Sequence, residues 1–316
     1  MAEGTRDEPG FTADGRPVPT LLDRALGAYL GLAIGDALGA TVEFMMPREI
    51  ATNIGLHDTL SGGGWLRLKP GQVTDDTTMS LALGDAIVGA RGWDLREVAE
   101  HYARWLRAMP VDCGHTCRRG IRRYLSDGSL QGAFHDGDAG NGAAMRNLPV
   151  VLAFHRDTEL LERYSLEQGR ITHHHPLSDQ ANLTLARMTA CLLKGEPASV
   201  ALQLAQDLVR REPRFAFEHY RGPATGYVVD TLRTVLFHFF DARDFEQTLI
   251  AVVNRGEDAD TTGAIAGMLA GACYGQQALP RRWVRKLDPI IRHRIEVQVR
   301  QLLSLPTAMR SIRPGP

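Results

Sequence analysis

The sequence predicts an all-α fold in one domain, and three observations carry that expectation. Apolar residues recur at three- and four-residue spacing over almost the whole chain, as in Leu95, Val98, Ala99, Tyr102, Ala103 and Leu106, which marks amphipathic helix. Sustained two-residue alternation, the signature of a half-buried strand, is nearly absent. The breaks are short turn-forming stretches, namely Ser61-Gly62-Gly63-Gly64, Lys69-Pro70-Gly71, Asp136-Gly137-Asp138-Ala139-Gly140 and Arg221-Gly222-Pro223, and none is long enough to join two domains.

Taken in order, residues 1–20 mix charges with Pro9, Gly10, Gly15, Pro17 and Pro19 and lack the apolar stretch a signal peptide needs, so they are expected to form a disordered arm. The domain is expected over 21–305, with 306–316 as a flexible tail. Helices are expected at about 21–38, 76–90, 94–108, 116–126, 141–154, 177–193, 198–211, 226–240, 243–253, 260–274 and 288–304. The first carries glycine at every fourth position, Gly27, Gly31, Gly35 and Gly39, and the helix at 260–274 does the same with Gly263, Gly267 and Gly271. Glycine weakens a helix by about 1 kcal/mol per position relative to alanine, so each smooth strip needs a compensating gain. Close approach of these two helices at the centre of the fold supplies one, and no chemistry need be assigned to the glycines.

Composition excludes several function classes. The chain has 36 Lys and Arg against 37 Asp and Glu, so no global basic field exists to hold nucleic acid or an anionic membrane. No uncharged apolar run approaches the length of a membrane-spanning helix. Cys113, Cys117, Cys191 and Cys273 form no Cys-x-x-Cys pair, which suggests neither a disulfide framework nor a zinc ribbon and fits a reducing cytoplasm.

The sharpest chemical signal is Thr74-Asp75-Asp76-Thr77-Thr78, at the start of the helix near 76–90. Helix capping accounts for one aspartate there and poorly for the second. Glu257-Asp258-Ala259-Asp260-Thr261-Thr262-Gly263 stands in the same place on the second glycine-faced helix and echoes the Asp-Thr-Thr ending. Each cluster alone reads more readily as a cap. Together, Asp75, Asp76, Asp258 and Asp260 would repel one another if they converged, and two divalent cations would balance their four charges. Oxygen ligands without thiolate or an obvious histidine pair suit Mg2+ or Mn2+ better than zinc, and Thr74 and Thr261 can add neutral oxygens.

The remaining candidates are weaker by residue type alone. Glu43 follows the first glycine-rich helix, and Asp112 lies in a loop between Pro110 and Gly114 where aspartate often only shapes a turn. The amides of Gly137–Gly142 precede a helical pattern and are placed to hold a phosphate, although glycine loops more often only connect. His173-His174-His175 invites a metal reading, but adjacent histidines point apart, and contact of His173 with substrate is the better alternative. Tyr227 opens the helix at 226–240 and is read either as a stacking surface for adenine or, more simply, as a core aromatic. Arg118, Arg119, Arg122 and Arg123 form a basic helix face, ordinarily just solvated.

With these residues in hand the chain resembles the ADP-ribosylglycohydrolase family. The resemblance rests on Gly35-Asp36-Ala37-Leu38-Gly39-Ala40 followed by Glu43, then on the two aspartate clusters in order and spacing. Gly62-Gly63-Gly64-Trp65, Arg107 to Asp112, Gly140 to Arg146 and His173 to Pro176 look like the bacterial branch that acts on dinitrogenase reductase. The resemblance implies a single-domain orthogonal helical bundle and a dinuclear metal site, manganese in preference to magnesium, held by Thr74, Asp75, Asp76, Asp258, Asp260 and Thr261. It implies hydrolysis of the N-glycosidic bond between ADP-ribose and an arginine side chain, with Glu43 and Asp112 as catalytic acids and Gly114, His115, Asn141, Gly142, Met145, Arg146, His173 and Tyr227 at the substrate. It further implies ADP-ribosylated dinitrogenase reductase as partner, a PII signal protein and an ammonium channel as regulatory contacts, peripheral membrane attachment only through such a partner, and a monomer that binds no nucleic acid. Two other functions compete: a dinuclear phosphohydrolase, which lysine or arginine beside the aspartates would favour, and a non-catalytic relative, which loss of the acids would mark.

Overall fold

A computed structural model describes residues 18–306; the expected arm before residue 18 and the tail after Pro306 lie outside the described residues. Fourteen α-helices and three short 3-10 turns make up the described chain, and among the described residues backbone pairing outside helices is limited to two isolated bridges, Gly63 with Leu68 and Gly140 with Tyr227. The all-α expectation holds because the period of the apolar residues leaves no strand a face to bury.

The centre is a pair of antiparallel helices, α1 (Leu21–Gly39) and α12 (Ala259–Tyr274). Every residue of α1 from Arg24 to Gly39 is buried, as is every residue of α12 from Ala259 to Ala272. The glycine strips face each other in register: a side chain on Gly27, Gly31, Gly35 or Gly39 would overlap the carbonyl of Gly271, Gly267, Gly263 or Ala259 in turn. The two backbones therefore touch, and dispersion between main chains supplies the gain that offsets the glycines' weak helix propensity.

Around this axis, α10 (Val228–Asp241) and α11 (Phe245–Val253) pack on α12, while α3 (Asp75–Gly89) and α14 (Pro289–Leu303) pack on α1. The helix α8 (Pro176–Leu193) also packs on α12, and α4 (Leu95–Arg107), α5 (His115–Asp127) and α9 (Ala198–Arg211) lie further out. Their starts follow local chemistry. Thr20, Asp94, Asp157, Asp244 and Asp288 each accept a first-turn amide, and Pro176 and Pro289 occupy first helical positions, where a missing N–H costs nothing.

Four differences from the expected helices have physical causes. The helix expected from 141 begins at Leu148 as α6 (Leu148–Phe154), because the Asn141 amide is drawn across to the Gly226 carbonyl at 3.2 Å and residues 141–146 form turns instead. The helix α7 (Thr158–Arg170) escapes a hydrophobic-periodicity reading because two of its buried positions are Ser165 and Gln168. The helices α2 (Pro47–Asn53) and α13 (Arg281–Lys286) are too short to show a stripe.

The backbone contact gives a direct test. Gly267→Ala adds helix propensity, yet its methyl group meets the Gly31 main chain, so unfolding by denaturant should show a loss of about 1–3 kcal/mol, as for overpacked cores. Gly89→Ala, where nothing stands within 4 Å, should instead be neutral or gain up to about 1 kcal/mol.

Candidate metal centre

The site is assembled where the C-terminal end of α1 meets the N-termini of α3 and α12. Asp36, fully buried in α1, accepts four hydrogen bonds from the start of α3: from Thr74 N and Oγ1, both at 2.9 Å on Oδ1, and from Thr77 N at 3.1 Å and Thr77 Oγ1 at 2.5 Å on Oδ2. This aspartate from another helix does the capping. Neither Asp75 nor Asp76 is needed for it, and Thr74 makes no side-chain cap of its own. At α12, Asp258 likewise makes no side-chain cap and instead accepts from the Asn141 Nδ2, and Asp260 takes the Thr261 amide at 2.8 Å. Capping therefore accounts for one oxygen of Asp260 and leaves Asp75, Asp76 and Asp258 without a capping purpose.

The freed carboxylates converge. Ligand-capable oxygens of Glu43, Asp258 and Asp260 lie within 4.8 Å of one another, as do those of Asp75, Asp112 and Asp260, so Asp260 joins the two groups. Thr74 Oγ1 stands 3.4 Å from Asp76 Oδ2 and from Asp260 Oδ2, and Thr261 Oγ1 stands 3.4 Å from Asp76 Oδ2. Asp76 Oδ1 is buried without any hydrogen-bond partner. An orphaned buried carboxylate oxygen is costly, and a cation bound beside it removes the cost. The donors are oxygen throughout, the chemistry of Mg2+ and Mn2+, so the residues fit divalent metal.

Electrostatics agree. Burial, followed by the neighbouring acids, pushes Glu43 up to about 8 and Asp75 up to about 7, and burial pushes Asp36 up to about 6. Burial and like charge hold Asp76 and Asp260 well above the usual carboxylate range, and burial raises Asp258. The positive ends of α3 and α12 soften this repulsion without cancelling it.

The acids floor an open cavity of about 600 Å3. Glu43 reaches it from the turn after α1, with Oε2 accepting the Trp65 indole N–H at 2.6 Å. That turn is strapped to the α12 loop: Phe44 and Glu257, both at positive φ, are linked by Phe44 N donating to Glu257 O at 2.7 Å, while Glu257 N donates to Met45 O at 2.9 Å. Asp112 and Gly114 form the opposite lip, where the Gly114 amide donates to Asp75 Oδ2 at 3.1 Å. His115, Asn141, Gly142, Met145 and His173 also line the cavity, and no lysine or arginine does among the described residues.

Comparison with known proteins decides what this arrangement belongs to. The family model described as ADP-ribosylglycohydrolase matches residues 17–311. The chain belongs to the ADP-ribosylglycohydrolase family. It is 53% identical over 287 residues to the ADP-ribosyl-[dinitrogen reductase] glycohydrolase of Rhodospirillum rubrum, covering 91% of this chain and 98% of the relative. It is 34% identical to the ADP-ribosylarginine hydrolase Tri1 of Pseudomonas putida, over 84% of this chain and 74% of that one. A solved structure of an ADP-ribosylglycohydrolase-related protein complex superposes with a TM-score of 0.80 at 35% identity, covering 90% of this chain and 98% of the other.

Two residues expected at the substrate are not on the cavity wall of this family member. Arg146 is fully buried, and its guanidinium turns inward to Tyr102, Gln168 and Thr172. Tyr227, at the start of α10, is 39% exposed and does not itself line the cavity, although Thr225 and Gly226 just before it do. Conversely, Asp36 and Trp65 carry the site's geometry although the sequence reading gave them no role. A signal existed for Asp36: a charge inside an otherwise apolar, glycine-faced helix demands buried partners.

The raised carboxyls fix the sign of a pH test. In metal-free protein each binds its proton more tightly when folded, so its stabilisation is complete below about pH 4, the unfolded value, and is lost as pH rises through 6 to 8. Thermal unfolding of metal-free protein should show a falling Tm across that window. Mn2+ at 100 times its Kd should add about 2.7 kcal/mol per site and remove the fall. A metal-free Tm that rises through the window would mean that the acids do not share one buried site.

Proposed function

We propose that this chain hydrolyses the N-glycosidic bond between ADP-ribose and an arginine side chain of a modified protein, and that the protein is ADP-ribosylated dinitrogenase reductase. The observation that carries the activity is the convergence of Asp75, Asp112 and Asp260 with Glu43 and Asp258 on one cavity, from chain segments as far apart as residues 43 and 260. The target is supported by the extent of likeness to the Rhodospirillum rubrum glycohydrolase. Cationic side chains beside the metals would favour a phosphohydrolase, and the lining contains none among the described residues.

Thr74, Asp75, Asp76, Asp258, Asp260 and Thr261 would hold two divalent ions, Mn2+ in preference to Mg2+. Bound there, the ions supply positive charge that binds ribose hydroxyls and favours ionisation of a water. The rest is done by the protein. Cleavage passes through an oxocarbenium-like state in which the C1–N electron pair leaves on the guanidine. Water oxygen then joins C1, and the proton that water loses must reach the departing guanidine. One group carrying one proton closes that balance. Glu43 is placed for it: Trp65 fixes Oε2, leaving Oε1 free toward the cavity, and burial keeps its proton affinity near neutrality, where a carboxyl can both accept and return a proton. Asp112, with Oδ1 held by the Cys113 amide at 2.7 Å, presents a carboxylate that attracts the cationic guanidinium.

The same proposal includes the regulatory partners, a PII signal protein and an ammonium channel, and a monomeric enzyme. It also includes peripheral membrane attachment through such a partner; no helix of the described residues is long and apolar enough to cross a membrane.

Incubation of the purified chain with ADP-ribosylated dinitrogenase reductase and Mn2+ should release intact ADP-ribose and restore the target; release of AMP would establish phosphoryl chemistry instead. Glu43→Gln should lower kcat by about a hundred- to ten-thousand-fold with metal binding kept. Asp260→Ala should abolish both turnover and metal-dependent stabilisation while the fold, read by circular dichroism, persists.

A further inference from the structure

Arg146 raises a question that its distance from the cavity surface leaves open. It is a fully buried cation, and among the described residues no carboxylate pairs with it. Its partners are neutral: Nε donates to Tyr102 OH at 3.0 Å and Gln168 Oε1 at 2.9 Å, and Nη2 donates to the Gln168 carbonyl at 3.0 Å and Thr172 Oγ1 at 2.8 Å. Tyr102 also lies beneath it, with the guanidinium carbon 4.7 Å from the ring centre. Burying an arginine without a counter-charge is costly, and stability alone would be better served by an apolar residue.

The next link leads back to the cavity. Thr172 Oγ1 lies 2.7 Å from His173 Nδ1, and His173, itself buried, lines the cavity with its Nε2 edge against Gly140 and Gly142, where an added side chain would crowd the ring. Arginine only donates, so Thr172 Oγ1 accepts from Arg146 and has one proton to give. Its acceptors are His173 Nδ1 at 2.7 Å and the Gly169 carbonyl at 3.4 Å. That carbonyl already receives the amides of Thr172 at 3.1 Å and His173 at 2.8 Å, so both its lone pairs are engaged. The hydroxyl proton therefore goes to Nδ1, and the guanidinium bound to the same oxygen polarises the hydroxyl into a stronger donor.

We infer that Arg146 and Thr172 are positioning residues that lock His173 in the tautomer with Nε2 protonated, so that a neutral N–H donor faces the cavity and binds a phosphate oxygen of ADP-ribose. The inference rests on the hydrolase reading above. Burial and the nearby Arg146 and Arg119 hold the imidazole well below its usual range, so it stays neutral at working pH. A phosphate is the acceptor this wall fits. The cavity is otherwise acidic and repels an anion, while the uncompensated Arg146 supplies positive field behind His173. The adjacent Gly142 amide has no hydrogen-bond partner among the described residues, which gives a second donor on the same wall.

The test is made on the full chain loaded with Mg2+, which is diamagnetic and leaves the histidine signals near the site readable, with 15N-labelled histidine. The long-range proton–nitrogen spectrum should show His173 with Nδ1 bare and Nε2 protonated, and in Thr172→Val this pattern should give way to a mixture of tautomers. Binding of ADP-ribose to Thr172→Val should weaken about tenfold, the effect of losing one hydrogen bond to a charged group. The cost should fall on KM more than on kcat, and Thr172→Ser, which keeps the hydroxyl, should stay within about twofold of wild type. A wild-type spectrum with Nδ1 protonated overturns the inference, as does equal weakening by Val and Ser or unchanged binding in Thr172→Val. Should the valine variant fail to fold, the wild-type spectrum and the serine variant still decide. Wild-type protein that neither binds nor releases ADP-ribose would sink the hydrolase reading itself, and the spectrum would report the tautomer regardless.

Discussion

Main chain against main chain, α1 and α12 approach as closely as two helices can, and the position of everything functional follows from the register of that contact. Glycine at every fourth residue on both helices allows it, and the pairing of Gly35 with Gly263 and of Gly39 with Ala259 fixes it. A slip by one turn would move Asp36 by about 5.4 Å along the axis and away from Thr74 and Thr77, whose amides and hydroxyls it holds. The start of α3 would then be uncapped, and Asp75 and Asp76 would be recruited to cap it. The glycines have no chemistry, as the sequence suggested, but they decide which aspartates are free to have some.

Freedom from capping comes with instability. Five acids gathered at one site, buried but for the half-buried Asp258, repel one another, and in metal-free protein protons relieve what the helix ends and hydrogen bonds leave of that repulsion, which is why burial and like charge raise Glu43, Asp75, Asp76, Asp258 and Asp260 together. The backbone carries part of the load. Phe44 and Glu257 adopt positive φ, an arrangement that costs on the order of 1–3 kcal/mol per residue, to tie the Glu43 turn to the α12 loop. Strain of this kind persists only where packing over-determines it, and here α12 and the Asp258 loop provide that packing.

The aspartate clusters were legible because each repeats a local pattern that capping explains only in part, and because charge balance makes the pair more informative than either member. Residues whose roles depend on distant partners were not. Glu43 and Asp112 each look like turn acids, and only the fold places one on each lip of a shared cavity. The orientation of Arg146 is set by Tyr102 of α4 and by Gln168 and Thr172 at the end of α7, both distant from it in sequence, so no local pattern could show that it faces inward. The same helix that supplies Gln168, α7, was missed for a related reason: polar residues recruited to the interior for this network break the apolar stripe by which helices are recognised.

The distribution of charge around the cavity matches a substrate with two unlike ends. Glu43, Asp112 and the aspartates make one wall negative, and with divalent ions bound their surplus is reduced but the lips remain acidic, suited to the guanidinium of a modified arginine. The wall formed by Gly142 and His173 carries neutral donors in front of a buried, uncompensated arginine, suited to a pyrophosphate. A chain with 36 basic and 37 acidic residues has no net field to orient such a molecule from afar. Orientation must then be imposed inside the cavity, where a ligand with a cation at one end and anions at the other meets walls of opposite polarity, and that contrast favours one direction of binding over the other.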